Sequence, residues 1–290
     1  MSTFHINRSY DPNFDVRDYG RMQERLERLP HNGVLTPLAT PRRGGKTWTL
    51  RAMERRMNAA HPKAAMYLDL RDYPSLPAEP PAKCLLLDEP QFAAPPSEGA
   101  RDAGRFLDWC AEMHRAEIRV VLAMTPAEWV TLCEADPSGA RSSMKDLQFV
   151  RPLQPLEAKR LCRTDAARAL LASLPALWCR SPFLLELLFA EAEARPDCSS
   201  DIPALLRAVV ARCAEPSIDY VHNVFHVGLT EPQRQTLRKV ACGDDAAPDE
   251  MLMLRGCGLV DEEHGAQFLA DPILEAQLAP LGATTPPPPL

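Results

Sequence analysis

The chain has 290 residues, a formal net charge of −6, 46% hydrophobic residues and 25% charged residues. These values are ordinary for a globular protein of one large or two modest domains. The acidic balance argues against a general nucleic-acid coat protein, which would be basic.

Cysteine usage and the N-terminus bear on the compartment. The cysteines form no C-x-x-C pair, so zinc and thioredoxin-like signatures are absent from the sequence. Several cysteines lie inside apolar runs such as KCLLLDE, which is typical of buried, reduced thiols. MSTFHINRSYDPNFD has no apolar signal-peptide core, and no run reaches the ~18 apolar residues of a membrane span. We therefore expect a cytoplasmic protein with no membrane partner.

Up to residue 125 the sequence alternates between predicted helices and strands. Residues 1–30 form an N-terminal segment in which RMQERLERL (21–29) has the apolar spacing of an amphipathic helix. Strands are predicted at 33–40, 64–70, within 84–90 and at 118–125, and helices at 48–60 and 100–116. Pro37 weakens the first strand prediction. The alternation predicts an α/β core at 31–153, with a parallel sheet covered by helices.

The pattern becomes mainly helical after residue 153. LEAKRLCRTDAARALLASL, SPFLLELLFAEAEA and IPALLRAVVARCA have helical spacing and predict a small helical domain at 154–215. At 216–280, a helix around 218–227, the helices TEPQRQTLRKVACG and PDEMLMLRGCG, and two strands turning at His264-Gly265 predict a winged-helix domain. The Pro-rich tail at 281–290 is predicted to be disordered.

The segment TPRRGGKTWTL has the spacing of a phosphate-binding loop, G-x-x-x-x-G-K-[S/T], with Thr40 in the first glycine position. Such a loop directs backbone N–H groups and a helix N-terminus at phosphates. Lys46 would reach the β- and γ-phosphates, and the Thr47 hydroxyl would coordinate Mg²⁺. The other loop residues predicted to surround the nucleotide are Thr40, Pro41, Arg42, Arg43, Gly44, Gly45 and Trp48.

Two further strand ends would complete the site. CLLLDEP ends in Asp88, predicted to hold Mg²⁺, and Glu89, predicted to orient and activate the attacking water. Thr125 ends the following strand and is predicted to lie near the γ-phosphate. Each piece has a simpler interpretation: a chance G-K-T, a solvated Asp-Glu strand end, and a threonine that starts a turn. Their occurrence together at the carboxyl ends of predicted strands favours a nucleotide site.

Together these motifs resemble the STAND-like and archaeal-type branch of P-loop ATPases, which are relatives of AAA+ proteins. TPRRGGKTWTL is similar to the family's phosphate loop, LLLDEPQF to its Asp-Glu strand and VVLAMTPAEW to its sensor-1 strand. FVRPLQPLEAKRLC and CRSPFLLELL resemble segments of its helical lid. The resemblance implies ATP and Mg²⁺ as cofactors and a lid followed by a winged-helix domain.

The lid motif also implies roles for two residues. Pro182 would lie against the adenine. Arg180 replaces the family's usual glycine, and it would either reach the phosphates as a sensor-2-like group or pair on the surface. Arg105 and Arg141 are candidates for an arginine finger, and neither is assigned.

Two departures from the family pattern bear on activity. A threonine at the first loop position would be disfavoured if that position required left-handed backbone, although some family members carry a small non-glycine residue there. A proline-rich loop at 72–83 stands where the family has a helix, so the core is trimmed.

The sequence leaves three functions open. The first is a slowly hydrolysing regulatory switch ATPase that controls a partner protein or forms a nucleotide-dependent homo-oligomer. The second is a DNA-binding AAA+ protein of initiator or transposition-regulator type, although Asp249, Glu250 and the acidic VDEEHG wing disfavour phosphate contacts. The third is a scaffold that binds nucleotide without turnover or binds none at all, against which Glu89 argues.

Overall fold

The computed structural model describes residues 35–72, 76–79, 82–93, 101–137, 147–162, 164–195 and 201–278. Its strands are β1 (Leu35–Ala39), β2 (Ala65–Asp69), β3 (Cys84–Asp88), β4 (Arg119–Met124), β5 (Gln148–Phe149), β6 (Val260–Glu263) and β7 (Ala266–Leu269). Its α-helices are α1 (Lys46–Ala60), α2 (Ala103–Arg115), α3 (Pro126–Ala135), α4 (Pro155–Leu161), α5 (Asp165–Ser173), α6 (Pro182–Ala194), α7 (Ile202–Cys213), α8 (Glu231–Ala241), α9 (Pro248–Gly256) and α10 (Pro272–Leu278). The helix predicted at 21–29, Arg141 and the tail at 281–290 lie outside the described residues.

Five strands form a parallel sheet in the order β2-β3-β4-β1-β5, which confirms the predicted α/β core. Because the strands run in one direction, their carboxyl ends meet at one edge of the sheet. Pro37 lies in β1 opposite Leu122 of β4, whereas β5 pairs with Leu38 and Ala39. The proline therefore lies beyond the β5 ladder, where a residue without an N–H group is tolerated.

The sheet is packed on both faces. Leu86 of β3 joins a cluster with Leu50 and Met53 of α1, whereas Leu85 and Leu87 join the opposite cluster with Phe106 of α2. Successive side chains of a strand point to opposite faces, so an unbroken apolar run fits a sheet that is covered twice. Each leucine buried in this way contributes about 2 kcal/mol.

The helices after the sheet share one hydrophobic core with the C-terminal part of the chain. We call residues 155–213 the helical region and residues 218–278 the C-terminal region. Leu184 and Phe189 of the helical region belong to the same buried cluster as Leu237, Leu254 and Ile273 of the C-terminal region. The division into domains at 215 remains a prediction, and this core extends across it.

Several elements differ from the sequence prediction. The pattern at 156–174 forms two helices because the Thr164 side chain accepts a hydrogen bond from Ala167 N–H and starts α5. The helices α3 and α10 and the short strand β5 were not predicted. Around 218–227 the structure has a π-helical turn, His222–Val227.

The C-terminal hairpin is confirmed. Strands β6 and β7 pair antiparallel, and His264 and Gly265 between them have φ values of 52° and 83°. Two positive φ values are typical of the tight turns that join hairpin strands. None of the helices that the structure describes is long and apolar enough to cross a membrane.

Candidate functional site

The loop between β1 and α1 leaves the first turn of α1 uncapped. The Gly44 N–H donates to the Pro41 carbonyl at 3.0 Å, which closes a turn, and Gly45 has a φ of 91°. The N-cap residue is Gly45, which has no side chain to cap the helix, and the first turn of α1 carries no acidic residue. Its backbone N–H groups and the positive end of its dipole therefore suit an anion such as phosphate.

Thr40 fits the loop without left-handed backbone. The loop residues with positive φ are Arg43, at 66°, and Gly45, and Thr40 is not one of them. The need for glycine lies instead at Gly44, where an added Cβ would be 2.0 Å from Thr40 Oγ1. The threonine side chain thus occupies the space that the absent Cβ leaves.

Four predicted residues meet where β1 and β3 end. The Thr47 hydroxyl donates to Asp88 Oδ2 at 2.6 Å, and Lys46 Nζ lies 3.9 Å from Glu89 Oε1. Asp88 is fully buried. Burial raises the pKa of the Asp88 carboxyl, and the charge of Lys46 and the hydrogen bond from Thr47 oppose that rise. A buried carboxylate beside a hydroxyl supplies the oxygen ligands that Mg²⁺ prefers.

Tyr67 is a site residue that the sequence analysis did not select. Its hydroxyl donates to Asp88 Oδ2 at 3.2 Å. Tyr67 is paired with Leu86 across β2 and β3, so its side chain reaches along the same face to Asp88. Burial and the nearby Asp88 charge raise the pKa of the Tyr67 hydroxyl, which therefore remains a donor. The guanidinium carbon of Arg51 lies 3.7 Å from the ring centroid and holds the ring in place.

The pairing of β2 with β3 was the missing signal for Tyr67. Both strands end in aspartate, and Asp69 is paired with Asp88. Once this register is known, the period of two along a strand places Tyr67 on the face of Asp88.

The Glu128 side chain connects Thr125 to the loop that follows β3, which contains Glu89 and is called the Glu89 loop. Glu89 and Gln91 have φ values of 53° and 56°, a conformation uncommon outside glycine. Thr125 is the N-cap of α3, and its hydroxyl donates to Glu128 Oε2 at 2.9 Å. Glu128 Oε1 accepts the Gln91 N–H at 3.2 Å. The sequence analysis did not select Glu128.

An open pocket, whose empty volume of about 490 Å³ includes part of the open solvent, lies beside the first half of the phosphate loop. The sheet body, the helical region and the C-terminal region each supply part of its wall. The lining includes Thr40, Pro41, Arg42, Arg43, Gly44, Val150, Pro152, Arg180, Pro182, Tyr220, Gly258 and Asp271. Arg42 Nε is buried without a hydrogen-bond partner among the described residues. An unpaired buried donor of a cationic side chain suits an anionic ligand.

Arg43 connects the loop to the other two regions. Its Nη2 donates to the Ile218 carbonyl at 3.2 Å, and its guanidinium carbon lies 5.2 Å from the Phe183 ring centroid. The Phe183 ring stacks on Tyr220 at a centroid distance of 5.7 Å. The Tyr220 hydroxyl donates at 2.6 Å to Asp271 Oδ2, and Asp271 Oδ1 caps α10. These contacts run without interruption from the phosphate loop to the start of α10.

The remaining predicted residues lie at different places in the fold. Arg180 and Pro182 both line the pocket, and Arg180 Nη1 donates to Asp261 Oδ2 of β6 at 2.7 Å. Pro182 is the first residue of α6. Trp48 lies half-buried in the first turn of α1. Arg105 lies on α2 near its start.

The geometry fits a magnesium nucleotide. Within the described ranges no group of three or more His, Cys, Asp or Glu side chains forms a metal site. Thr47 and Asp88, whose side chains are 2.6 Å apart, would be the protein ligands, and phosphate and water would complete the shell, as is usual for Mg²⁺. The uncapped first turn of α1 and the orphaned Arg42 Nε match the phosphates.

No protein-family model matches the sequence, and comparison with curated protein sequences gives no match. Among solved structures, the Walker-type ATPase PABY2304 of Pyrococcus abyssi has a TM-score of 0.56 at 15% identity, covering 92% of this chain and 99% of that chain. The ORC2 protein of Aeropyrum pernix, solved in ADPNP-ADP complexes, has a TM-score of 0.53 at 12% identity, covering 94% and 95%. At these identities the likeness is one of fold. This chain has the α/β fold of P-loop, AAA+-related ATPases.

Proposed function

We propose that the protein is a P-loop ATPase that binds ATP with Mg²⁺, hydrolyses it slowly and acts as a regulatory switch for a partner protein. The observation that carries this proposal is the meeting of Thr47 with Asp88, at 2.6 Å, beside Lys46 and Glu89. Lys46 and Thr47 begin α1, whereas Asp88 ends β3 and Glu89 follows it. Together they would provide a metal site, a phosphate-binding cation and a base.

Each residue has a role in this proposal. Lys46 and the N–H groups of the first turn of α1 bind the β- and γ-phosphates. Thr47 and Asp88 hold Mg²⁺, whose charge offsets that of the phosphates. Glu89 orients the attacking water and accepts its proton at a carboxylate oxygen, and Lys46 stabilises the charge that develops on the phosphates.

Glu89 does not stand free in this structure. Its carboxylate lies 3.9 Å from Lys46 Nζ, so both groups pair with each other where the phosphate would be. Bound phosphate would compete for Lys46 and release Glu89 toward water. This exchange of partners links nucleotide binding to the availability of the base.

The pocket walls support a switch. The helical and C-terminal regions share one core, which meets the sheet body at Ala39 of β1 and at the partly buried Phe149 of β5. Because most members of this core belong to the two regions, separating them would expose more apolar surface than moving them off the sheet, and we propose that they move together against the sheet body. The contacts across that boundary include Arg43 to Ile218 and the Ala127 N–H to the Gly228 carbonyl at 3.1 Å. A nucleotide in the pocket would touch both sides and favour the closed arrangement.

The surface chemistry favours a protein partner over DNA. Asp249 and Glu250 on α9 and Glu262 and Glu263 on β6 are exposed, and carboxylates repel a phosphate backbone. Nucleotide-dependent self-association would depend on the same movement of the helical and C-terminal regions against the sheet body. A DNA-binding titration over a salt series separates the two functions: DNA binding that weakens steeply with salt would favour the initiator-like alternative.

The direct test is ATP binding and phosphate release by the purified protein with and without Mg²⁺. We expect binding that Mg²⁺ strengthens, with turnover well below the ~10 s⁻¹ of a median enzyme. Absence of nucleotide binding in the presence of Mg²⁺ would contradict the proposal. Binding without turnover would support the scaffold alternative.

A further inference from the structure

We propose that Glu128 is a positioning residue for Glu89, which it holds in place by clamping the loop that follows β3. The inference rests on the proposed function, because it assumes that Glu89 is the base. Glu128 lies in α3, at the end of a different strand, and is only 2% exposed. Its two carboxylate oxygens serve two different backbone segments.

One oxygen serves the start of α3. Glu128 Oε2 accepts the Thr125 N–H at 2.6 Å and the Thr125 hydroxyl at 2.9 Å, and the Thr125 hydroxyl accepts the Glu128 N–H at 3.3 Å. This reciprocal arrangement is a capping box. It fixes the first turn of α3 and the carboxylate within it.

The other oxygen serves the Glu89 loop. Glu128 Oε1 accepts the Gln91 N–H at 3.2 Å. Glu89 and Gln91 both have left-handed backbone, which costs free energy for residues with a side chain and persists only when surrounding contacts hold it. The hydrogen bond to Gln91 is such a contact, because it fixes the chain two residues after the base.

A second capping box in the same protein shows that capping does not require a carboxylate. At the start of α8, Gln233 Oε1 accepts the Thr230 N–H at 2.9 Å, and the Thr230 side chain accepts the Gln233 N–H. An amide therefore suffices to cap a helix in this fold. What the carboxylate of Glu128 adds is the second acceptor oxygen, and that oxygen binds Gln91.

This comparison supplies the variant. Glu128→Gln keeps an oxygen for the Thr125 N–H and places an NH₂ group against the Gln91 N–H, so the cap remains and the clamp is lost. The matched control is Gln233→Glu, the reverse exchange in the capping box of α8. Steady-state kcat and KM, the Kd for ATP in equilibrium binding and the melting temperature are measured for both.

We expect Glu128→Gln to lower kcat by about tenfold, while KM and the Kd for ATP stay within about twofold, because the clamp acts on the base and not on the nucleotide. Gln233→Glu should leave all three unchanged. Adding Gln91→Gly to Glu128→Gln should restore part of the lost kcat, because glycine adopts positive φ without strain.

The outcomes are distinguishable. Normal turnover in Glu128→Gln overturns the inference and leaves the proposed function standing. A loss of kcat that Gln91→Gly does not restore also overturns it, since the loss would then not arise in this loop. Absence of ATP turnover in the unsubstituted protein overturns the proposed function and this inference with it.

Discussion

Thr40 and Gly44 fit each other within the phosphate loop: a Cβ at position 44 would lie 2.0 Å from Thr40 Oγ1. The loop thus keeps its shape with threonine at the first motif position because a glycine stands where that side chain needs room. The same Cβ would be 2.9 Å from the Pro41 carbonyl oxygen, which is backbone and has less freedom to move.

We expect Gly44→Ala to reduce ATP affinity by about tenfold or more and to destabilise the protein by about 1–3 kcal/mol, because the loop must shift to remove the overlap. Adding Thr40→Ala should recover part of both losses, since it removes the closer contact. Isothermal titration with ATP and thermal unfolding measure the effects. Equal affinities of Gly44→Ala and the unsubstituted protein would contradict this fit.

We predict that removing the Tyr67 hydroxyl weakens the binding of Mg²⁺. Tyr67→Phe removes the hydroxyl bound to Asp88 and keeps the ring against Arg51. We expect the Mg²⁺ concentration for half-maximal strengthening of ATP binding to rise by about tenfold, because groups that orient metal ligands typically contribute this much. ATP binding in EDTA should not change. The measurement is a Mg²⁺ titration with a fluorescent ATP analogue.

Thr236→Val is the control for Tyr67→Phe. It also removes one buried hydroxyl, which donates to the Pro232 carbonyl at 3.1 Å in α8. It should lower stability by about 1 kcal/mol and leave the Mg²⁺ titration unchanged. If both variants shift the titration equally, the role assigned to Tyr67 is wrong.

The close contact between Gly258 and Pro152 allows a test of how the C-terminal region closes the pocket. Its φ is 72°, and a Cβ there would lie 2.3 Å from Pro152 Cγ, whereas Gly265 has a φ of 83° and nothing within 4 Å of an added Cβ. Gly258→Ala and Gly265→Ala should both cost about 1–2 kcal/mol of stability from left-handed backbone. Only Gly258→Ala should weaken ATP binding, because only it pushes the pocket walls apart. Equal ATP affinities of the two variants would argue against closure by this contact.

Arg180 tests the two roles that the sequence left open. In this structure it pairs with Asp261 at 2.7 Å, and it also lines the pocket. If Arg180 moves to the phosphates, Asp261→Asn frees it and should raise the affinity for ATP relative to ADP, whereas Arg180→Ala should lower it. If the pair is only a surface contact, both variants should change the stability of the protein by less than about 1 kcal/mol. The ratio of the affinities for ATP and ADP should then stay the same in both. We predict the first result, measured by competition binding.

The sequence predicts four of the five strands of the sheet because they are mainly apolar runs, as expected of a sheet that is covered on both faces. It also places Lys46, Thr47, Asp88 and Glu89 at strand ends, where parallel topology brings them together. The family resemblance selects Arg180 and Pro182, and both line the pocket.

What the sequence does not predict depends on strand pairing and on packing between regions. Tyr67 and Glu128 act through partners that are distant along the chain, and their local patterns are a strand residue and a helix cap. The shared core of the helical and C-terminal regions was also not predicted. The pattern of an amphipathic helix shows which of its faces is buried but not which element covers that face. The sequence predicts that Thr125 ends a strand near a phosphate. Only the structure shows that its hydroxyl donates to Glu128.

The measurement that tests the central claim most directly compares ATP binding and phosphate release in the unsubstituted protein, Lys46→Ala and Glu89→Gln, all with Mg²⁺. We predict that Lys46→Ala lowers ATP affinity by about 10- to 100-fold, because it removes a charge-assisted contact to phosphate. Glu89→Gln should keep ATP binding and lose about 10²- to 10⁴-fold in turnover, as expected for a missing base. Turnover in Glu89→Gln equal to that of the unsubstituted protein, or ATP affinity unaffected by Lys46→Ala, would contradict the account.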